Sequence, residues 1–171
     1  MNIQVQNITL RIRKQPHQKD VTSVRDMVSE TGFFRDDEID VAVELVEERL
    51  AKGTKSGYQF ILADHEGNLA GYTCFGLIPC SLVSFDLYWI VTRKILQGKG
   101  IGAILLQLTE EEIQKQGGKN VIIETSSKEL YGPTQHFYHK NGYMLQARLP
   151  DFYDIGDDKL VFTKRLSEAM Q

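Results

Sequence analysis

The spacing of apolar positions changes along the chain, and each change predicts a different element. Apolar residues in the segment that opens at Asp36 recur every three or four positions, and Gly53 follows its end. These positions are Ile39, Ala42, Val43, Val46 and Leu50. The spacing predicts an amphipathic helix there, and a shorter helix is predicted between Lys19 and Thr31. A looser alternation from Ile3 to Arg13 predicts one strand at the start of the chain.

The middle of the chain has the pattern of three successive strands. The segments 58–63, 69–77 and 82–91 are rich in β-branched and aromatic residues, and the first two are separated by the turn from Asp64 to Asn68. Connections this short join antiparallel neighbours, because parallel pairing needs a longer crossover. The sequence therefore predicts an antiparallel meander here.

Helices and strands alternate in the last third. Helices are predicted from Ile101 to about Gln116, where glycines follow, and from about Pro133 to Asn141–Gly142. Strands are predicted at 121–123, 143–149 and 160–165. The predicted class is therefore a mixed α/β domain with about seven strands and about four helices, spanning residues 1–171 as one domain.

The composition and the net charge of the chain exclude several classes of protein. The chain has 171 residues, 42% of them hydrophobic and 25% charged, which is typical of a folded globular domain. Its formal net charge of −3 gives no general basic field for nucleic acid, and no stretch has the length of a membrane span. We expect a cytoplasmic protein with no nucleic-acid or membrane partner. Cys74 and Cys80 are expected to be reduced core residues.

A cluster of glycines lies between a predicted strand and a predicted helix. Its sequence is Gln97-Gly98-Lys99-Gly100-Ile101-Gly102-Ala103. Glycines allow the backbone to approach a ligand closely, and the N–H groups at a helix N-terminus favour an anion. The cluster therefore predicts a phosphate or pyrophosphate site, to which Lys99 adds a positive charge.

The same glycines also match a dinucleotide-binding pattern. Gly98, Gly100 and Ala103 fit G-x-G-x-x-G/A, and Glu124 lies in the next strand, as a ribose-binding acid would. Two observations weigh against this alternative. The preceding strands form a meander rather than parallel units, and the 47 residues after Glu124 are too few for a second mononucleotide-binding half.

Two motifs together resemble those of the GCN5-related N-acetyltransferase (GNAT) superfamily. The segment Gln97-x-x-Gly100-x-Gly102, after a strand ending in 90–92, is similar to the acyl-CoA motif of that family. The segment 136–143, HFYHKNGY, resembles its later Phe-Tyr-x-x-x-Gly-Phe/Tyr signature. The resemblance covers roughly Gln59 to Arg165, and the predicted order of elements agrees with it.

The resemblance implies the GNAT acyl-CoA N-acyltransferase fold and an acetyl-CoA-dependent transfer to a primary amine, with no metal. His136 and His139 are three residues apart on a predicted helix, but a metal would need further ligands that the sequence does not identify, so they are interpreted as a solvated helix face. Tyr131 occupies a position where many relatives carry an Asn that contacts acetyl-CoA. The implied acetyl-CoA contacts are Ile90, Val91, Thr92, Gln97, Gly98, Lys99, Gly100, Ile101, Gly102, Ala103, Ser127, Tyr131 and Thr134.

The resemblance also suggests catalytic groups. Tyr138 matches the tyrosine that commonly protonates the leaving thiolate, and backbone N–H groups near Val91 are expected to polarise the thioester carbonyl. Glu124 is the first candidate for a general base, on the expectation that burial raises its pKa. Asp86 is the second candidate, and either carboxylate is alternatively a binding or surface group.

The acceptor is less well defined. Phe33, Phe34 and Trp89 are expected to form an apolar wall for it, or else to fill the core. Acidic residues between 151 and 158 are expected to form a polar loop that favours a cationic amine. A small molecule, an amino acid and a protein amine all stay open as acceptors. Whether the protein forms a homodimer is open as well. The alternative function is that of a non-catalytic acyl-CoA-binding module.

Overall fold

The computed structural model describes residues 1–167. Three short 3₁₀ turns join its regular elements, at Gly53–Ser56, Lys94–Leu96 and Glu129–Tyr131. Its strands and helices are β1 Asn2–Val5, β2 Ile8–Arg13, α1 Gln18–Glu30, α2 Asp36–Lys52, β3 Gln59–His65, β4 Asn68–Leu77, β5 Ser84–Thr92, α3 Ile101–Lys115, β6 Asn120–Ser126, α4 Gly132–Lys140, β7 Met144–Asp154 and β8 Asp157–Arg165. The four predicted helices and the mixed α/β class are confirmed.

The strands hydrogen-bond in the order β1-β2-β3-β4-β5-β6-β8-β7. Strand β5 pairs with β6 in parallel, Ser84–Asp86 against Asn120–Ile122, whereas β6 with β8 and β7 with β8 are antiparallel. Within residues 1–167 the sheet has eight strands rather than about seven, because the predicted first strand is a hairpin. Gln6 in the turn of this hairpin has a φ of 52°. Residues other than glycine rarely adopt a positive φ, so the residue types in this segment do not indicate a turn.

The described residues group into two compact units. The first contains Met1–Gly76 and Trp89–Thr109. Its core is made by the apolar faces of α1 and α2 together with side chains of β3 and β4 and with Val91. Helix α2 contributes Ile39, Ala42, Val43 and Val46, all buried, at the spacing that the sequence predicted.

A buried ionic cluster connects β2, α1 and β3 in this first unit. Arg13 at the end of β2 donates two hydrogen bonds to Asp20 of α1, at 2.7 and 2.8 Å, and two to Asp64 of β3, at 2.8 and 3.0 Å. Asp20 also accepts the His17 backbone N–H at 2.6 Å, which caps α1. Burial acts to lower the pKa of Arg13, but the hydrogen bonds to the two carboxylates raise it overall.

The second unit contains residues 77–88 and 110–171, of which 168–171 lie outside the described part. Most of its buried apolar residues come from β5, β6, β8, α3 and α4, and the largest include Phe162 of β8 and Tyr143, which lies between α4 and β7. The expected polar loop between the last two strands is wrong. Strand β7 continues to Asp154 and β8 begins at Asp157, so the acidic residues lie on a hairpin with a two-residue turn.

The cysteine prediction is confirmed in part. Both thiols are free, and Cys74 is buried in β4. Cys80 is exposed, so its placement in the core is wrong. It lies in the connection between β4 and β5 with a φ of 67°. No helix within residues 1–167 is both long and apolar enough to cross a membrane.

Candidate functional site

The glycine cluster forms the connection from β5 to α3 in the first unit. Gly98 and Gly100 adopt φ angles of 75° and 84°, which glycine tolerates and other residues rarely do. The Gly100 carbonyl accepts the Ile104 N–H at 3.2 Å, so helical bonding begins at this glycine. The first turn of α3 contains no acidic residue. The N–H groups at the start of α3 are therefore available to a ligand that approaches the glycine turn. No carboxylate of the first helical turn competes with that ligand for them.

The backbone is accessible at one of the two glycines. A Cβ atom at Gly98 would have no heavy atom within 4 Å, whereas one at Gly100 would lie 3.3 Å from the Val5 side chain. The Gln97 side-chain amide donates to the Thr92 carbonyl at 3.3 Å, linking the turn to the end of β5. The predicted acetyl-CoA residues 90–92 and 97–103 are thus brought together, and the open side of Gly98 has the character of an anion cradle.

Gly71 is a residue of this region that the sequence did not indicate. A Cβ atom there would lie 2.9 Å from the Val91 carbonyl oxygen and 3.0 Å from the Leu105 side chain. The Arg93 N–H donates to the neighbouring Ala70 carbonyl at 2.9 Å. Strand β4 is therefore packed against the end of β5 as closely as the backbone allows. No motif surrounds Gly71, so only the structure identifies it.

The three predicted acceptor-side aromatics also belong to the first unit. The rings of Phe34 and Trp89 are 4.9 Å apart in an edge-to-face arrangement, and Phe33 lies 6.4 Å from Phe34. Phe34 and Trp89 are partly buried and pack against the core of this unit. These aromatic side chains pack like core residues that keep an exposed portion. This packing is compatible with both expectations from the sequence, an apolar wall for the acceptor and filling of the core.

The two candidate carboxylates lie in the second unit, and they differ in how far they are buried. Glu124 forms an ion pair with Lys159 at 2.7 Å, and 47% of its side chain is exposed. The expectation that Glu124 is buried is therefore wrong, because its position on β6 faces away from the core. Asp86 on β5 is half-buried, and burial raises its pKa, with a further rise from the Glu124 charge and an opposing effect of Lys159.

Tyr138 lies on α4, in the aromatic part of the second unit's core. Its ring centroid is 5.7 Å from that of Phe162 and 6.1 Å from that of Tyr143. Only 5% of Tyr138 is exposed, and burial raises the pKa of its hydroxyl. The phenol is therefore in its neutral, proton-donating form at physiological pH.

The remaining predicted contacts are near the end of β6 and the start of α4. Ser127 is joined to Asp158 by two hydrogen bonds, from Ser127 N–H at 2.9 Å and to Ser127 Oγ at 2.8 Å. Tyr131 closes the 3₁₀ turn before α4, and Thr134 lies in the first turn of that helix. Among the described residues, no three His, Cys, Asp or Glu side chains are arranged to hold a metal ion.

A surface cavity of about 580 Å³ lies elsewhere in the first unit. It is bordered by residues of β1 to β3 and the start of α1, including Arg11, His17 and Lys19. None of the predicted site residues lines it. Every residue that borders it is polar, charged or glycine, so it lacks the large apolar side chains that are typical of a small-molecule site.

Comparison with known proteins identifies several relatives. Residues 56–145 match the family model described as acetyltransferase (GNAT) domain. A putative acetyltransferase of the GNAT family from Desulfovibrio desulfuricans is 37% identical, over 92% of this chain and 99% of that chain, with a TM-score of 0.90. No curated protein sequence matches the chain significantly.

Two more distant solved structures have the same fold. An aminoglycoside 6'-N-acetyltransferase complexed with coenzyme A is 17% identical, over 94% of this chain and 99% of that chain, with a TM-score of 0.73. A putative acetyltransferase from Salmonella typhimurium with its cofactor acetyl-CoA is 18% identical, over 95% and 96%, with a TM-score of 0.71. At this identity the likeness is one of fold.

Proposed function

Because the chain belongs to the GNAT acetyltransferase family, we propose that it transfers the acetyl group of acetyl-CoA to a primary amine. The whole chain, residues 1–171, acts as a single domain in this proposal. The observation that carries it is the pair of positive-φ glycines at the start of α3. Two distant relatives of the same fold were solved with coenzyme A or acetyl-CoA, which supports the choice of donor.

The turn suits the pyrophosphate of acetyl-CoA. Backbone N–H groups of residues 98–103 would donate to the phosphate oxygens, and the open side of Gly98 leaves room for them. Ile90, Val91 and Thr92 would pair with the pantetheine amides in the manner of an added strand. The parallel ladder of β5 with β6 ends at Asp86, and β5 continues to Thr92, which supports free donors near Val91. Ser127, Tyr131 and Thr134 complete the proposed contacts.

Bound acetyl-CoA supplies an acetyl group activated as a thioester. The protein must accept a proton from the acceptor ammonium, because an amine attacks only when it is neutral. Asp86 is the favoured base, since burial raises its pKa and makes it a stronger proton acceptor than an ordinary aspartate, and Glu124 would hold the ammonium beside it. Overall, a C–N bond forms and the C–S bond breaks. The ammonium nitrogen loses two protons, of which one is released to solvent through Asp86 and the other balances the proton that sulfur gains.

Tyr138 is the proposed donor of the proton to sulfur. Its buried hydroxyl is neutral at physiological pH, so it has a proton to give. A buried phenolate is costly, so the hydroxyl would regain a proton from solvent after each turnover. Backbone N–H groups near Val91 would stabilise the charge on the carbonyl oxygen, as fixed dipoles do in oxyanion holes.

The acceptor is proposed to have an apolar part next to its amine. The edge-to-face pair of Phe34 and Trp89, with Phe33 beside it, supplies the aromatic wall that this requires. A small molecule fits the proposal best, because the acceptor would then be held by a few side chains. An amino acid or a protein amine would satisfy the same chemistry.

Calorimetric titration with acetyl-CoA tests the donor site. Gly98→Ala should weaken binding at least about tenfold, since the φ of 75° strains alanine and its methyl group projects toward the phosphates. Gly67→Ala is the matched control, with a φ of 81° and no neighbour within 4 Å, and should bind as the wild type does. Equal losses in both variants would contradict the site. Tight binding without acetyl transfer to any amine would instead support a non-catalytic acyl-CoA-binding module.

A further inference from the structure

Lys159 on β8 has its ammonium group enclosed by one carboxylate and two aromatic rings. The Nζ atom lies 2.7 Å from Glu124 Oε2, 3.5 Å from the centroid of the Phe152 ring and 5.9 Å from that of Tyr153. The Lys159 side chain is only 14% exposed, although Glu124 and Phe152 are each about half exposed, at 47% and 50%. We call Glu124, Phe152 and Tyr153 the ammonium cage.

The strand register brings these side chains to one face. Lys159 pairs with Ser126, and Val161 pairs with Glu124, so Glu124 and Lys159 are diagonal neighbours across β6 and β8. Asp86 belongs to the same charged group, since the Lys159 ammonium acts to lower its pKa and the Glu124 carboxylate acts to raise it. Asp86 is therefore close enough to Glu124 and Lys159 for both charges to act on its pKa.

The two rings come from an irregular part of β7. Leu149 pairs with Lys159 and Asp154 pairs with Asp157, so residues 150–153 oppose Asp158 alone. Hydrogen bonds hold this excess chain in place. The Asp151 N–H donates to Asp158 Oδ1 at 2.9 Å, and the Gly156 N–H donates to Asp151 Oδ1 at 2.7 Å. Extra residues in a strand commonly re-aim side chains near functional sites, and here they turn an aromatic ring onto the ammonium.

The groups around the Lys159 ammonium are accessible from solvent. Glu124 and Phe152 are each about half exposed, so a cation from solution can reach the carboxylate and the nearer ring. Aromatic faces and a carboxylate around one cation are the recognition elements for organic ammonium groups. The chain thus contains a complete ammonium-binding site that is occupied by one of its own lysines.

We propose that the ammonium cage is the subsite for the acceptor's ammonium group, and that Lys159 occupies it until an incoming amine displaces the Lys159 side chain. This inference rests on the proposed acetyl transfer and names its acceptor class. The acceptor is an alkyl or arylalkyl primary amine with no carboxylate next to the amine, because a carboxylate there would meet Glu124 and Asp86. Free α-amino acids are therefore poor acceptors, and Lys159 is a determinant of specificity.

Binding of a cation that cannot react tests the cage without turnover. The probe is butyltrimethylammonium, which has no N–H to acetylate. Lys159→Ala should bind the probe about tenfold more tightly than the wild type, because the internal competitor is gone. Adding Phe152→Leu to that variant should reverse the gain. Lys164→Ala is the matched control, since Lys164 on the same strand also pairs with a carboxylate, Glu110 at 2.7 Å, and lies 5.5 Å from the Tyr143 ring centroid. Its affinity for the probe should equal that of the wild type.

A second measurement uses the wild-type protein and so does not depend on how the variants fold. Reductive methylation of lysines, followed by mass spectrometry of the peptides, measures how accessible each ammonium group is. The probe should speed methylation of Lys159 several-fold by displacing it, and leave the rate at Lys164 unchanged. Unchanged methylation of Lys159 at saturating probe would overturn the displacement.

Steady-state kinetics connect the cage with the acceptor. The KM of Lys159→Ala for alkylamines should fall several-fold, while Lys164→Ala keeps the wild-type KM. Wild-type transfer to amines with no change of KM and no gain of probe binding in Lys159→Ala would overturn this inference and leave the proposed function standing. No transfer by the wild type to any amine would overturn the proposed function itself, whatever the probe binds.

Discussion

A Cβ atom on Gly71 would lie 2.9 Å from the carbonyl oxygen of Val91, which is closer than the Cβ atoms of other residues approach a neighbouring atom. Gly71→Ala should therefore force the two backbones apart at the segment proposed to bind pantetheine. We expect a loss of about 1–3 kcal/mol in the free energy of unfolding, as overpacking typically causes, together with weaker acetyl-CoA binding. Urea denaturation and calorimetry measure the two effects.

The control for this substitution is another glycine with the opposite expectation. Gly132 has helical angles, φ −51° and ψ −47°, and a Cβ atom there would meet nothing within 4 Å. Gly132→Ala should raise the free energy of unfolding by about 0.4–1 kcal/mol, since alanine restricts the unfolded chain. A Gly71→Ala variant as stable as the wild type would mean that the β4–β5 contact is not tight.

Asp86 should make stability depend on pH. Burial raises its pKa in the folded protein above the ordinary value of 3.8, so the folded state holds the proton more tightly than the unfolded chain. Its contribution favours folding below pH 3.8 and is lost as pH rises through the folded pKa. Asp86→Asn should therefore gain stability relative to the wild type between about pH 4 and pH 7. A stability difference that stays constant over this range would contradict the assignment.

Tyr138→Phe should lower kcat by about 10²-fold or more, with little change in the Kd for acetyl-CoA, if its hydroxyl protonates the leaving thiolate. Tyr143→Phe is the matched control, because its ring is 6.1 Å from that of Tyr138 and its hydroxyl donates to Glu110 at 2.9 Å. That variant should lose stability and keep its kcat. Equal rates for Tyr138→Phe and the wild type would remove Tyr138 from the mechanism.

The buried ionic cluster should dominate the electrostatic contribution to stability. Asp20→Ala leaves Arg13 with one carboxylate in a buried site, and we expect a loss of about 3–5 kcal/mol in the free energy of unfolding. Asp40→Ala removes the exposed pair with Arg25, and we expect a change of about 0–1 kcal/mol. Chemical denaturation at low and high salt distinguishes them, since only the exposed pair is strongly screened.

Elements with a local signal were predicted from the sequence. The periodicity of α2 is set by its own buried face, and the glycine turn before α3 is set by positive φ angles that glycine favours. The division of the first strand was missed because a glutamine, Gln6, occupies the turn conformation. The extent of β7 was missed because the apparent loop is held by Asp151 and Asp158, which pair only after the hairpin has formed.

The parts of the candidate site that consist of short motifs could be predicted from the sequence. The parts that depend on strand register could not. The glycine turn and Tyr138 follow from short motifs. The exposure of Glu124 depends on which face of β6 it occupies, and a shift of one residue in register would reverse it. The meeting of Lys159 with Phe152 depends on the irregular pairing of β7 with β8, which no local pattern encodes.

The most direct test of the central claim is to incubate the wild-type protein with acetyl-CoA and a panel of primary amines. Thiol release and the mass of the acetylated amine are measured together. The account predicts equal amounts of free coenzyme A and N-acetylated product, with alkyl and arylalkyl amines preferred over α-amino acids. Thiol release without an acetylated amine, or neither product from any amine, would contradict it.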